Sequence, residues 1–170
     1  DFAKGQVRDL RVRWALEEAG LPYQTKLLAP GDQDKPAYRA LQPFGQVPIL
    51  QDGDVTLFES GAIVLHIAER FAGLLPKDPD ARARAIMWMF AALNTVEAPI
   101  LERQTAFFAA RGESWQGEHM AMIDKRIRGR LGQLAARLGG DEWLDGAFSA
   151  ADIIMAHVLR RLEGSGLLEE

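Results

Sequence analysis

The sequence predicts two domains of different class: an α/β domain with a mixed sheet, then an all-α helical bundle. Three observations lead there. Val47-Pro48-Ile49-Leu50, the turn Gln51-Asp52-Gly53-Asp54 and Leu57-Phe58 read as strand, tight turn and strand, and Glu59-Ser60 opens a helix. Ahead of this hairpin, a short strand, a helix and a second strand alternate. Beyond Gly73, Pro76 and Pro79, every segment has helical period.

Taken in order, Asp1-Phe2-Ala3 is the stub of a first strand, followed by the loop Lys4-Gly5-Gln6-Val7. A helix starts at Arg8 or Asp9. Leu10, Trp14 and Ala15 share one face, widened by Leu16 and Ala19, and Arg13 with Glu17 makes a surface i,i+4 pair. Gly20 ends the helix, with Pro22 just beyond. Residues 23–28 alternate as a short strand. Residues 30–36 form a polar loop, and residues 37–41 a short helix that must stop before Pro43. In the hairpin, Asp52-Gly53 is the turn signal, because glycine takes positive φ without steric cost. Ser60 is read as the N-cap of the next helix, whose Ile63, Ile67 and Phe71 recur every four residues.

The long apolar pattern over residues 81–111 is one helix, and Pro99 should kink it by deleting one i→i−4 bond. Residues 118–138 form a second helix with the stripe Ile123, Ile127, Leu131, Leu134 and Leu138. Gly139-Gly140 ends it, and Trp143 and Leu144 anchor the loop beyond. Ser149 and Asp152 have the spacing of a capping box, with Phe148 and Ile153 as its hydrophobic staple, so that motif is assigned to folding. The last helix fades at Gly164-Ser165-Gly166. Domain limits follow: an α/β domain over 1–75, a linker over 76–80 and a helical domain over 81–170.

The 170 residues are 48% hydrophobic, enough to build a core. A net charge of −4 and a pI near 5.5 give no electrostatic case for binding nucleic acid or an anionic membrane. No apolar run approaches the roughly 20 residues of a membrane span. With no cysteine there is no disulfide, thiolate metal site or cysteine nucleophile, a composition that fits a cytoplasmic protein. His66, His119 and His157 show no metal-ligand spacing with carboxylates, so no metal is expected.

An X-Pro turn beside a polar helix start can expose a backbone edge to an extended, peptide-like ligand. The same residues also fit an ordinary capped strand-turn-helix. Gln46-Val47-Pro48 with Glu59-Ser60-Gly61-Ala62-Ile63 resembles the glutathione site of the glutathione S-transferase family. Residues 10–23, Leu-Arg-Val-Arg-Trp-Ala-Leu-Glu-Glu-Ala-Gly-Leu-Pro-Tyr, are similar to the family's first helix and second strand. Phe148-Ser149-Ala150-Ala151-Asp152-Ile153 resembles its capped helix in the second domain.

The resemblance, to a bacterial-type member, implies an α/β thioredoxin-like N-terminal domain followed by an all-α helical-bundle C-terminal domain. It implies a chain truncated at its C-terminus, with a fuller first strand before Asp1. It makes glutathione the co-substrate. Val47 would pair its peptide groups with the cysteinyl backbone ahead of a cis Pro48, Glu59 and Ser60 would hold the γ-glutamyl end, and Gln46 would face the glycine end. The implied reaction is attack of the glutathione thiolate on a small, apolar electrophile, as in detoxification, by a cytoplasmic homodimer.

Members of the family usually place a Tyr, Ser or Cys near the first helix to activate the thiol. Residues 2–9 here contain none. Gln6 and Arg8 are the catalytic candidates, with Lys4 beside them: an amide donor, or cations that favour an anionic sulfur together with the helix terminus. Read alone, they are solvated loop residues. Phe90 and Asn94 are the candidates for the co-substrate pocket, with Trp88, Met89, Phe107 and Phe108 as further apolar surface and Arg103 as a second polar point. Other readings on the same fold are a non-catalytic glutathione-binding or protein-interaction module and a glutathione-dependent isomerase or reductive dehalogenase.

Overall fold

The computed structural model describes residues 7–109 and 111–168. The chain divides into two compact units, Asp1–Pro76 and Lys77–Glu170.

In the first unit, helix α1 (Asp9–Glu18) buries Arg11, Val12, Ala15 and Leu16. The expected face is therefore rotated. Trp14 sits at the rim, where its indole N–H donates to Glu18 at 2.9 Å. Arg13 pairs with Asp9 rather than Glu17, whose carboxylate accepts from the Tyr23 hydroxyl at 2.9 Å. Gly20 ends the helix at φ +66°, and the Leu21 N–H returns to the Leu16 carbonyl. The strand expected over residues 23–28 is not formed: residues 21–29 carry no regular element. A strand exists only through its ladder, and no described segment pairs with this one. Its expected neighbour, the stub at residues 1–3, lies outside the described residues.

A 3₁₀ turn (Asp32–Asp34) leads into the single-turn helix α2 (Pro36–Arg39), with Pro36 in the first turn, where a missing N–H costs nothing. Strands β1 (Ile49–Asp52) and β2 (Val55–Phe58) pair antiparallel from Ile49↔Phe58 to Asp52↔Val55. The two loop residues are thus Gly53-Asp54, one step later than expected, with Gly53 at φ +58°. Helix α3 (Ser60–Arg70) buries Ile63, Val64, Ile67 and Ala68 and packs against α1. Phe71 is its C-cap in extended backbone and not part of the stripe.

In the second unit, α4 (Pro79–Phe90) begins inside the expected linker, because Asp78 accepts the Ala81 N–H at 2.8 Å and caps it. The helix runs through a π-helical segment (Ala91–Val96) into α5 (Glu97–Ala109). Pro99 therefore does not break the chain. The irregularity falls in the turn before it, where a proline leaves a carbonyl without its α-helical donor. Helix α6 (Gln116–Leu138) packs on α5 and buries Ile123 and Ile127. Helix α7 (Ala150–Arg160) packs on α4 and buries Ile153, Ile154 and Val158. Among the described residues no helix is long and apolar enough to cross a membrane.

Candidate functional site

The site is built where β1 has not yet begun. The ladder starts at Ile49, so the Val47 peptide groups lie outside it, and among the described residues no backbone hydrogen bond takes them up. The Val47–Pro48 peptide bond is cis. Gln46 and Ser60 lie far apart in the chain, but the hairpin folds back and brings the start of α3 beside the prolyl turn. Gln46, Val47, Pro48, Glu59 and Ser60 line one concavity, together with Arg8 and Gln42.

The start of α3 differs from the expected cap. Glu59, not Ser60, is the N-cap residue, and Ser60 is the first helical residue. Glu59 has φ +69°, ψ +110°, the one non-glycine residue with positive φ among those described. Such a conformation costs on the order of 1–3 kcal/mol and persists only where surrounding structure enforces it. No side chain caps the helix. The Glu59 carboxylate is exposed, and neither it nor the mostly buried Ser60 hydroxyl has a partner among the described residues. A carboxylate and a hydroxyl without partners among the described residues thus belong to the two residues at an uncapped helix start that lines the concavity.

The loop ahead of Pro48 is held from beneath. Gln42 is 2% exposed, and its side-chain oxygen accepts the Phe44 N–H at 2.6 Å. The Tyr38 hydroxyl donates to the Gln46 carbonyl at 2.6 Å, and burial raises the phenol's pKa. Neither residue was among the sequence candidates. Their signal is the spacing of a glutamine and an aromatic just before Pro43-Phe44-Gly45, which only the folded loop makes meaningful.

Of the catalytic candidates, Arg8 lines the concavity as the residue before α1, while Gln6 and Lys4 lie outside the described residues. Phe90 and Asn94 are exposed in the helical unit, Phe90 ending α4 and Asn94 within the π-helical segment. His66 stands 3.1 Å from Asp52 on the hairpin, and His119 meets the edge of Trp115. Among the described residues no group of three or more His, Asp or Glu is placed to hold a metal ion.

A sheet-and-helix unit with a cis-prolyl turn beside a helix start, followed by a helical unit, is the architecture of a thioredoxin-like domain joined to an all-helical one. Residues 3–69 match the family model for the glutathione S-transferase N-terminal domain. Glutathione S-transferase F9 of Arabidopsis thaliana is 31% identical over 147 residues, which span 81% of this chain and 68% of that protein. The glutathione transferase of Burkholderia graminis, solved with two glutathione molecules bound per subunit, superposes with a TM-score of 0.83 at 30% identity over 98% of this chain and 75% of that one. The Pseudomonas putida glutathione transferase, solved with one glutathione disulfide per subunit, gives 0.84 at 26% identity over 95% and 74%. The chain belongs to the glutathione S-transferase family.

Proposed function

We propose that the protein binds glutathione in the concavity at Pro48 and transfers its thiolate to a small apolar electrophile. The observation that carries this is the set of unused groups on one surface: the Val47 peptide, the Glu59 carboxylate, and the Ser60 hydroxyl with its helix start. In this reading the cysteinyl backbone adds to Val47 as one more strand. Glu59 accepts the γ-glutamyl ammonium, while Ser60 and the α3 N–H groups receive the α-carboxylate. Gln46 faces the glycine end. Val47 and Pro48 thus align the tripeptide, and much of the rate comes from holding the sulfur in place. Arg8 lies on the same surface, where its cation favours the thiolate over the thiol. Gln6 remains a candidate donor to the sulfur. Phe90 and Asn94 remain the candidates for the co-substrate, and the proposal extends to a cytoplasmic homodimer.

Calorimetric titration with glutathione tests the binding half. Undiminished affinity in the Glu59→Ala, Ser60→Ala double variant would refute the site. A panel of aromatic halides, enones and epoxides tests the chemistry by glutathione consumption. One observation favours a second reading, a binding module without catalysis: residues 2–9 contain no hydroxyl or thiol to activate the sulfur. Binding without consumption of any electrophile would select it.

A further inference from the structure

Tyr38 touches the site without lining it. Its hydroxyl donates to the Gln46 carbonyl at 2.6 Å, and that carbonyl shares a peptide unit with the Val47 N–H. The Gln46–Val47 bond is not among the cis peptides, so the unit is planar and trans, and its C=O and N–H point in opposite directions. Holding the oxygen toward α2 turns the Val47 N–H away from α2. The next residue works on the same loop. Arg39 donates from Nη1 to the Pro43 carbonyl at 3.0 Å, and its guanidinium lies where a side chain on Gly45 would begin, 2.6 Å from the position of a Cβ there. Asp34 accepts from the other guanidinium nitrogen at 2.9 Å and steadies it. Two consecutive residues of a single-turn helix therefore grip both ends of the segment that precedes the cis proline. No ladder bond does this work, since β1 begins only at Ile49.

We propose that Tyr38 is a positioning residue whose hydroxyl, by fixing the Gln46–Val47 peptide plane, aims the Val47 N–H at a carbonyl of the bound tripeptide. This rests on the glutathione reading above. A loop peptide free of the ladder can rotate, and each alternative orientation removes the donor from the ligand. The binding-competent fraction, and with it the apparent affinity, falls when the anchor is lost.

The test is calorimetry on the full chain with S-methylglutathione, whose blocked thiol keeps sulfur ionisation out of the measurement. Wild type, Tyr38→Phe and Tyr23→Phe are compared. The Tyr23 hydroxyl also donates one hydrogen bond in the same unit, to Glu17, so its loss reports any general loosening. Tyr38→Phe is expected to bind roughly 5- to 10-fold more weakly, the equivalent of one hydrogen bond. Tyr23→Phe is expected to match wild type. The Val47 amide resonance of the ligand-free protein should shift in Tyr38→Phe alone, which reads the peptide's orientation independently of any ligand. Equal affinities for wild type and Tyr38→Phe, an unmoved Val47 amide, or equal losses in both variants would each overturn the proposal. Failure of wild type itself to bind would remove the glutathione site and this inference together. Tight wild-type binding with an unaffected Tyr38→Phe would remove the inference alone.

Discussion

Helices α3 and α7 both begin at a serine beside an acidic residue, and they use the pair in opposite ways. At α7, Ser149 is the N-cap in extended backbone at φ −149°. Its hydroxyl accepts the Ala151 N–H, and Asp152 accepts from the Ser149 N–H at 2.9 Å, the Ser149 hydroxyl at 3.0 Å and the Leu144 N–H at 3.0 Å. Trp143 and Phe148 stack edge to face just outside. The serine hydroxyl and the aspartate carboxylate at that start are both engaged in holding the protein together. At α3 the backbone is strained at Glu59, no side chain caps the helix, and carboxylate and hydroxyl are left without partners among the described residues. The serine is common to both starts; what differs is whether the polar groups around it are engaged within the protein.

Substitutions at the two starts should separate these uses. The largest expected effect is at Asp152. Replacing it with alanine leaves the Leu144 and Ser149 donors unmet and should lower unfolding free energy by about 2–3 kcal/mol in denaturant titration, with glutathione affinity unchanged in the folded protein. A neutral result would erase the contrast. Next is Glu59→Gly. Glycine relieves the positive φ, so stability should hold or rise by up to about 1 kcal/mol while glutathione affinity falls roughly 10- to 100-fold. A stability loss would show that Glu59 serves the fold after all. The smaller pair is Ser149→Ala against Ser60→Ala: the first should cost about 1 kcal/mol of stability, the second less stability but a measurable share of affinity.

The smallest effects are set by pH. Lys35, then the Ala29 N–H, hold the Asp32 carboxyl below its ordinary pKa. A depressed carboxylate contributes stability above its unfolded pKa and loses it as pH falls through the folded one, so amide protection in residues 29–35, measured relative to the unfolded chain at the same pH, should fall below about pH 4. Tyr38 has the opposite sign. Its raised pKa contributes below the unfolded value and is lost as pH rises through the folded one, above about pH 10.

What was legible in the sequence was short-range. The capping box at Ser149 and Asp152 lies within four residues, so local pattern sufficed for it. Gln46, Val47, Pro48, Glu59 and Ser60 were named from order and resemblance, and the fold gathers them on one surface. The N-cap was misplaced because a left-handed glutamate leaves no mark in a sequence. Burial on α1 was misread because Arg11, a charged residue, is fully buried while Trp14 is not. The missing strand at 23–28 and the π-helical segment before Pro99 share a cause: pairing partners and hydrogen-bond register are decided by neighbours that periodicity does not see. Tyr38 can be placed near the site from sequence but given no task there, because its partner is a carbonyl, present at every residue and distinctive at none.

Gly45 is restricted by its own backbone before it is restricted by Arg39. A methyl group at 45 collides with the guanidinium, and it would also have to accept φ +65°. A random library spanning both sites should therefore keep glycine at 45 whatever stands at 39, because shortening 39 clears the space and leaves the positive φ in place.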